Sequence, residues 1–440
     1  MIKAGHSFWV ILALLIASLV AGFLPIASGN PIYIRLAILW GLMLVTSYLW
    51  TVFSLKGLIV KRYARTLRHQ VGQIFEERIE IVNLTRFPRL WVGVRDQSDL
   101  PGSMVSRVLT WIGSRRTRSY VAYTWLNQRG LFQLGPTEIS SGDMFGLFRS
   151  SRVVSTVQQL LVIPHLVSLP YFPSPQGLLP GGRALRRRTL EVSPYAASVR
   201  EFTPGDPLNR IHWPSTARKD RLMVKEFEQD PQADVWIFVD AYQFVQAALP
   251  DEEIVVKEDA LWLWRRPKEI KIPPATIEYS ISCAASIASY FIKQNQAVGF
   301  TSSGQVDITL SPERGERQQG KILEMLGLLK PQGKMSLLGL IGAQTSHMMK
   351  GSTVILITPS VSSEILLGVS ELQQRSMQPV LVLINAITFG GQKGTGELGF
   401  KATAMGAPVF TVSNQDALQN ALASTGDHRY LAVNQWWKSA

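Results

Sequence analysis

Two long apolar segments open the chain, and shorter apolar patterns follow them. The segments cover residues 8–26 and 32–53, and a loop without charge at 27–31 joins them. Each is close to the ~20 residues that cross a bilayer core as a helix, so the pattern predicts a transmembrane helical hairpin over 1–55. A cleaved signal peptide is the alternative for the first segment, but its apolar run exceeds the usual ~7–15 residues and no Ala-x-Ala pattern ends it.

Residues 56–169 show short alternating patterns that are typical of strands. Strands are predicted at 75–82, 90–95, 119–125, 130–134 and 160–163, and turn residues separate them. Strands at this density without intervening helices indicate a small β-sandwich domain. A Pro/Gly-rich stretch at 170–182 then marks a domain boundary, and the linker with the segment after it is assigned to 170–232.

After residue 233, continuous apolar strands alternate with helices. Strands are predicted at 235–239, 297–301, 305–310, 352–358, 379–385 and 408–412, and helices at 276–293, 317–329, 362–375 and 415–423. Apolar strands with crossover helices imply a mainly parallel sheet that helices cover on both faces. Residues 233–440 are therefore predicted to form an α/β domain.

Charge is unevenly distributed along the chain. The net charge is +13, and residues 54–122 hold thirteen Lys or Arg against five Asp or Glu. A basic run after an apolar segment predicts a two-pass protein of the cytoplasmic membrane with both termini in the cytoplasm, and contact with membrane lipid. No nucleic-acid-binding motif accompanies the charge, so nucleic acid is not expected as a partner. Six scattered histidines and one cysteine, Cys283, argue against a zinc site or a disulfide, and no cofactor is expected.

The densest cluster of polar, aromatic and turn residues lies at 199–228. It reads Arg-Glu-Phe-Thr-Pro-Gly-Asp-Pro-Leu-Asn-Arg-Ile-His-Trp-Pro-Ser-Thr-Ala-Arg from Arg200, and Leu-Met-Val-Lys-Glu from Leu222. This pattern closely resembles the signature of the bacterial domain of unknown function 58 family, with Phe202 where the signature has tyrosine. The matching residues are Arg200, Glu201, Gly205, Asp206, Arg210, Ile211, Trp213, Thr216, Ala217, Arg218, Leu222, Val224, Lys225 and Glu226.

The resemblance extends upstream and implies a fold and partners. Residues 129–136 and 142–148 are similar to two further elements of the family, with Met144 in place of a usual proline. The family implies a von Willebrand factor A-like domain at 233–440, and work with a MoxR-type AAA+ ATPase and a transglutaminase-like membrane protein in envelope assembly or quality control. The chain has no Gly-x-x-x-x-Gly-Lys-Ser/Thr loop, so we expect a non-catalytic scaffold or adaptor whose partner supplies ATP chemistry.

The signature residues are open to three interpretations. Three arginines can form bidentate pairs with three carboxylates, namely Arg200, Arg210 and Arg218 with Glu201, Asp206 and Glu226. A buried cluster of such pairs around Trp213 is the structural interpretation, and an exposed docking surface for a partner is the second. The third is a hydrolase that uses His212 with Asp206 and Ser215 or Thr216, although geometry and not sequence proximity defines such a triad.

The resemblance also implies a metal-ion-dependent site that has degenerated here. The family's related domains use Asp-x-Ser-x-Ser after the first strand, whereas Asp240 is followed by Tyr242 and Phe244, and Pro359 lies where another aspartate is expected. Mg²⁺ needs several oxygen ligands in near-octahedral geometry, so no metal is predicted. An insertion at 246–274 contains Leu-Trp-Leu-Trp-Arg-Arg, which suits burial, a partner or the lipid interface.

Overall fold

A 24-residue apolar helix, α1 (Pro31–Ser54), precedes the folded units. The computed structural model describes residues 2–4, 16, 19, 20, 23, 31–172, 196–204, 206, 211–227, 234–250 and 272–423. The stretch Ile34–Ser54 has a mean hydropathy of 1.8. At ~1.5 Å per residue such a helix spans about 30 Å, the thickness of a bilayer core. α1 is thus one candidate membrane helix, and the hairpin partner predicted at 8–26 lies almost entirely outside the described residues.

The first unit is β-rich and comprises Met1–Leu166, Pro250–Pro274 and Leu323–Leu329. Its described strands are β1 (Ile2–Ala4), β2 (Leu58–Ala64), β3 (Arg68–Gln70), β4 (Ile74–Asn83), β5 (Arg89–Asp96), β6 (Arg107–Ile112), β7 (Thr117–Trp125), β8 (Gly130–Leu134), β9 (Thr137–Gly142), β10 (Phe148–Val154) and β11 (Gln158–Ile163). They form three sheets with the orders β1-β10-β9-β5-β6, β3-β11-β8 and β2-β4-β7. The expected β-rich region is confirmed, and β1, β2, β3, β6, β9 and β10 are additional to the predicted strands.

Arg62 on β2 belongs to a buried ion cluster. Its Nε lies 2.7 Å from Glu77 Oε2 and its Nη2 lies 2.7 Å from Asp96 Oδ1, with all three side chains at most 2% exposed. Two carboxylates share one guanidinium, and burial raises the pKa of Glu77 to about 7. The sequence places Arg62 in the basic run beside the membrane. The Arg62 charge faces buried carboxylates and not solvent, so this side chain does not add to the basic surface that could meet lipid headgroups.

The second unit comprises Val167–Leu249, Ala275–Ile322 and Lys330–Ala440. Its described strands are β12 (Ala196–Glu201), β13 (Met223–Phe227), β14 (Val235–Val239), β15 (Val298–Ser303), β16 (Asp307–Glu313), β17 (Thr353–Thr358), β18 (Gln378–Ile384) and β19 (Val409–Val412). Its described helices are α2 (Trp213–Lys219), α3 (Thr276–Lys293), α4 (Glu316–Leu328, the end of which falls in the first unit), α5 (Leu337–Gln344), α6 (Glu364–Gln374), α7 (Thr395–Ala404) and α8 (Leu418–Ala423).

A six-stranded sheet with the order β16-β15-β14-β17-β18-β19 forms the centre of this unit. Every pair is parallel except the edge pair of β15 with β16, which confirms the predicted mainly parallel sheet. All residues of β14, β15 and β17 are buried, as expected for strands covered on both faces. Phe172, predicted to lie in the linker, is instead buried, and its ring stacks on Phe410 with centroids 5.0 Å apart.

Candidate functional site

The signature segment forms a small two-stranded antiparallel sheet in the second unit, the β12–β13 hairpin, whose long connection contains α2. β12 pairs with β13 in a register that sets Arg200 opposite Val224 and Glu201 opposite Met223. Ile211 bridges Val224 from the other side of β13, and Ile211, Met223 and Val224 are buried. Apolar side chains thus hold the hairpin together, while its polar signature residues remain available for other contacts.

A bidentate ion pair fixes the turn that follows β12. Arg200 donates from Nη1 to Asp206 Oδ2 at 2.8 Å and from Nη2 to Asp206 Oδ1 at 2.6 Å. Thr203 donates to Asp206 Oδ2 from its backbone N–H and its hydroxyl, each at 2.9 Å. The Arg200 hydrogen bonds, aided by Thr203, hold the pKa of Asp206 well below its usual range. Asp206 therefore stays ionised and acts as a backbone clamp.

Helix α2 has no buried residue. Its Pro214 suits the first turn, and Asp220 ends it in the left-handed conformation with its N–H bonded to the Thr216 carbonyl oxygen. Trp213 is 66% exposed, and Ala217 and Arg218 are exposed as well. Trp213 and Ala217 are four residues apart and share one helix face. The signature thus builds an exposed face on α2, and the interpretation of a buried Trp213 cluster is wrong.

The remaining signature residues are only partly described. Glu201 pairs with Arg221 at 2.9 Å, and both side chains are exposed. Gly205 and Arg210 lie outside the described residues, and Lys225 and Glu226 are defined only by their backbone register on β13. Of the three predicted arginine pairs, the structure therefore brings together Arg200 and Asp206, and no sequence signal identified Arg221 as the partner of Glu201.

The residues of the hydrolase alternative are brought together only in part. His212 Nδ1 lies 2.7 Å from Ser215 Oγ. Thr216 Oγ1 accepts the Met223 N–H at 3.0 Å, so its hydroxyl has a structural role. The Asp206 carboxylate is bonded to Arg200 and Thr203. A triad needs a carboxylate that orients the histidine. Within residues 211–227 the His212 ring is hydrogen-bonded to Ser215, and the Asp206 carboxylate is bonded to other residues.

A second candidate site lies at the carboxyl edge of the parallel sheet, where α/β folds bind their ligands. Asp240 follows β14 and is buried. Its Oδ2 accepts the Thr358 hydroxyl at 2.6 Å, and its Oδ1 accepts the Tyr242 N–H at 3.0 Å. Burial raises the pKa of Asp240 to about 6, although both hydrogen bonds oppose the increase. Both carboxylate oxygens are thus occupied by protein donors.

The neighbouring residues give this edge an aromatic surface. Gly333 exchanges backbone hydrogen bonds with the loop after β14, and a Cβ there would collide with the carbonyl oxygens of Ser303 and Ala241. Tyr242 and Phe244 occupy the predicted hydroxyl-ligand positions, and their rings pack edge to face with centroids 5.3 Å apart. Phe244 is 72% exposed, and Pro359 follows Thr358 directly. Among the described residues no three His, Cys, Asp or Glu side chains are grouped as metal ligands.

Two solved structures show a weak likeness to parts of this chain. Among solved structures, manganese-loaded TRAP of Plasmodium vivax covers 44% of this chain and 72% of its own at 15% identity, with a TM-score of 0.26. The CARDB domain of PF1109 from Pyrococcus furiosus covers 24% of this chain and 94% of its own at 10% identity, with a TM-score of 0.18. Likenesses at these scores carry no argument about function.

Two sequence matches cover parts of the chain. Uncharacterized protein YeaD of Bacillus subtilis (strain 168) is 26% identical over 135 residues, which cover 31% of this chain and 33% of YeaD. The match therefore spans about a third of the length of this relative. Residues 198–255 match the family described as protein of unknown function DUF58. The family match thus falls on the hairpin, on α2, and on β14 with Asp240.

Proposed function

We propose that this protein is a membrane-anchored, non-catalytic adaptor that docks a MoxR-type AAA+ ATPase on the exposed face of α2. The observation that carries the proposal is the exposure of Trp213 within the segment that matches the family. Tryptophan and arginine are enriched among residues that dominate binding energy at protein interfaces. Trp213 and Arg218 supply both types on one short helix, with Lys219 and Arg221 beside them for an acidic partner surface.

The backbone beneath this face is held in place. The Arg200–Asp206 pair fixes the turn after β12, and the Thr216 hydroxyl bonds the start of β13. Side chains on a fixed backbone lose less conformational freedom on binding, which favours affinity. These contacts explain how signature residues serve docking both directly, at Trp213, and through support of α2.

The second unit is assigned in this proposal to the von Willebrand factor A-like class, with a metal site that has become structural. The Thr358 hydroxyl and the Tyr242 N–H donate hydrogen bonds to the Asp240 carboxylate, at the oxygens that a cation or its bound waters would otherwise contact. A cation would have to displace both of these hydrogen bonds, and the aromatic side chains of Tyr242 and Phe244 stand where the motif has small hydroxyl ligands. This supports an adaptor that does not use metal for adhesion.

Membrane anchoring through a hairpin with both termini in the cytoplasm completes the proposal. β1 pairs with β10 so that Ala4 lies opposite Phe148. The Thr51 hydroxyl of α1 is 3.5 Å from the Phe148 carbonyl oxygen. The N-terminal strand and α1 therefore meet the β-rich unit at one edge, which supports a hairpin whose two ends return to the same side. Envelope assembly or quality control, with a transglutaminase-like membrane protein as a further partner, is the setting we infer.

Co-purification tests the proposal. The full chain, solubilised in mild detergent, is used as bait for the MoxR-type ATPase of the same organism in the presence of ATP. We expect capture of the ATPase by the wild-type chain. Failure of capture with a folded bait would contradict the adaptor role.

A second candidate, the hydrolase, rests on the contact between His212 and Ser215. His212→Asp should leave ATPase capture intact if the histidine is structural. A measurable hydrolytic activity that His212→Asp and Ser215→Ala both abolish would favour the enzyme instead. Thr216→Ala serves as the control for local structure, because Thr216 supports β13.

A further inference from the structure

A turn of the β-rich unit holds two apolar side chains out into solvent. Asp143 is buried, and its carboxylate accepts the N–H groups of Phe145, Leu147 and Phe148 at 2.9, 3.3 and 2.7 Å. This hydrogen-bonded turn leaves Met144 69% exposed and Phe145 61% exposed. Large apolar side chains on a backbone organised in this way indicate a surface that meets an apolar environment.

The turn lies beside α1. The rings of Phe148 and Tyr48 pack edge to face with centroids 5.7 Å apart, and Thr51 of α1 is buried next to Phe148. Further along β10, Arg152 donates to the carbonyl oxygen of Leu58, which follows the end of α1, at 2.6 Å. From Arg152 to Phe148, the contacts of β10 thus move from Leu58, after the end of α1, to Thr51 and Tyr48, within its apolar stretch. The turn before Phe148 continues in the same direction, towards the bilayer that α1 would span.

A second exposed surface lies just after the end of α1. Leu84 donates its N–H to the Gly57 carbonyl oxygen at 2.9 Å, and the Arg115 N–H donates to the Thr85 carbonyl oxygen at 3.0 Å. These contacts bring together the loops at 84–87 and 113–116. The exposed side chains there are Leu84, Arg86, Phe87, Arg115 and Arg116.

From these two surfaces we infer that the β-rich unit binds the anionic lipid surface of the membrane around α1. Met144 and Phe145 enter the interface between headgroups and acyl chains, and Phe87 rests at the headgroup level. Arg86, Arg115 and Arg116 pair with lipid phosphates. The inference rests on the proposed membrane anchoring by α1, and it assigns the β-rich unit a binding role that the anchor alone does not require.

Charge and continuity with α1 favour lipid over a protein as the occupant. Amphipathic surfaces at the membrane interface combine apolar and aromatic side chains with Lys or Arg, and bury the apolar groups ~5–10 Å deep. The loop at 84–87 is bonded to Gly57, just after the predicted span, and the loop at 113–116 is bonded to Thr85 in turn, so their arginines lie where anionic headgroups begin. Arg62, by contrast, is neutralised inside the unit and takes no part.

Site-specific fluorescence on the full chain in proteoliposomes tests the inference. Cys283, which is buried, is replaced by alanine, and a nitrobenzoxadiazole dye is attached at Phe145→Cys or Phe87→Cys. Val157→Cys is the matched control, because Val157 is exposed and follows the far end of β10. Vesicles contain phosphatidylcholine alone or with phosphatidylglycerol, and a nitroxide near the top of the acyl chain quenches dye that reaches the interface.

We expect the dye at Phe145 to shift to the blue and lose most of its fluorescence, while the dye at Val157 keeps its fluorescence. The dye at Phe87 should be quenched in vesicles with phosphatidylglycerol and recover in phosphatidylcholine alone, or when Arg115→Glu and Arg116→Glu are added. Equal signals at Phe145 and Val157 in an inserted protein would overturn the inference. Met144→Cys provides a second probe on the same turn if the Phe145 variant fails to fold.

Two controls distinguish a failure of the lipid-binding inference from a failure of the proposed membrane anchor or of ATPase docking. Resistance of the wild-type chain to alkaline carbonate extraction reports insertion of α1 independently of the probes. Extraction of the chain would overturn the anchor and the lipid surface together, whereas stable insertion with unquenched probes would overturn the lipid surface alone. Capture of the ATPase depends on α2 and is measured on the same variants, where we expect no change.

Discussion

The buried carboxylate of Asp240 should reduce the stability of the second unit at neutral pH. Its pKa is raised by burial from 3.8 to about 6, so the folded state binds the proton more tightly than the unfolded state does. A group of this kind contributes fully to stability below about pH 4, and the contribution is lost as pH rises through about 6. A pKa raised by this amount corresponds to a cost of about 3 kcal/mol for the ionised form.

Asp240→Asn removes the charge and keeps the size of the side chain. An asparagine still accepts the Tyr242 N–H and donates to the Thr358 hydroxyl oxygen, so we expect a gain of about 1–3 kcal/mol at pH 8 that vanishes below pH 4. For a unit of this size each kcal/mol raises Tm by about 2–4 °C. Thermal melting of the full chain in detergent, followed from pH 4 to pH 8, measures the change.

Two comparisons make this prediction refutable. Asp307→Asn replaces an exposed aspartate on β16 and is the matched control for the loss of one carboxylate. Thr358→Val removes a donor from Asp240 and should lower Tm at pH 8. An Asp240→Asn variant that is less stable than wild type at pH 8 would refute the reasoning, because the ionised carboxylate would then have a favourable partner in the folded state.

Three further predictions concern the metal site, the ion cluster and the topology. Isothermal titration of the full chain with Mg²⁺ at micromolar concentration should give no saturable heat, and a one-site isotherm that Asp240→Ala abolishes would contradict the degenerate site. Arg62→Ala should cost about 3–5 kcal/mol, since it leaves buried carboxylates unpaired. The loss should be larger at pH 8 than at pH 5, where Glu77 is protonated, and equal melting at both values would contradict it. A cysteine at Ser28 should react with an impermeant reagent from outside intact cells and one at Ser439 should not; labelling at Ser439 would overturn the topology.

The α/β core could be predicted from sequence because its strands are continuous apolar runs. The predicted strand at 235–239 coincides with β14, and the predicted helix at 276–293 with α3. Two helices gave no clear signal, since α5 holds Gly339 and Gly342, and α7 holds Gly396 and Gly399. Glycine lowers helix propensity, and only tertiary packing compensates for it. The local sequence pattern therefore predicted the elements that are continuously apolar, and it missed the helices whose formation depends on tertiary packing.

The ion cluster and the exposed face of α2 could not be predicted from local sequence patterns. Arg62 lies 34 residues from Asp96 in the chain, so no local pattern announces that the two meet. A buried Trp213 cluster was one of three interpretations of the signature, yet α2 has no buried residue. Ile211, Met223 and Val224 are the buried residues of this hairpin, and Trp213 lies outside that small core. Composition alone does not contain that information.

The exposed face of α2 is the surface on which we propose that the AAA+ ATPase docks. The most direct test is an equilibrium binding isotherm of purified MoxR-type ATPase on the full chain in nanodiscs, with wild type, Trp213→Ala and Phe400→Ala compared. Phe400 on α7 is 61% exposed and lies outside the signature, so it is the matched control.

A central interface tryptophan contributes about 2 kcal/mol or more, so Trp213→Ala should weaken binding roughly 30-fold. Phe400→Ala should bind as the wild type does, and all three proteins should melt alike. Equal affinity of the Trp213→Ala and Phe400→Ala variants would contradict the docking face, and a large fall in Tm for Trp213→Ala would return Trp213 to a structural role.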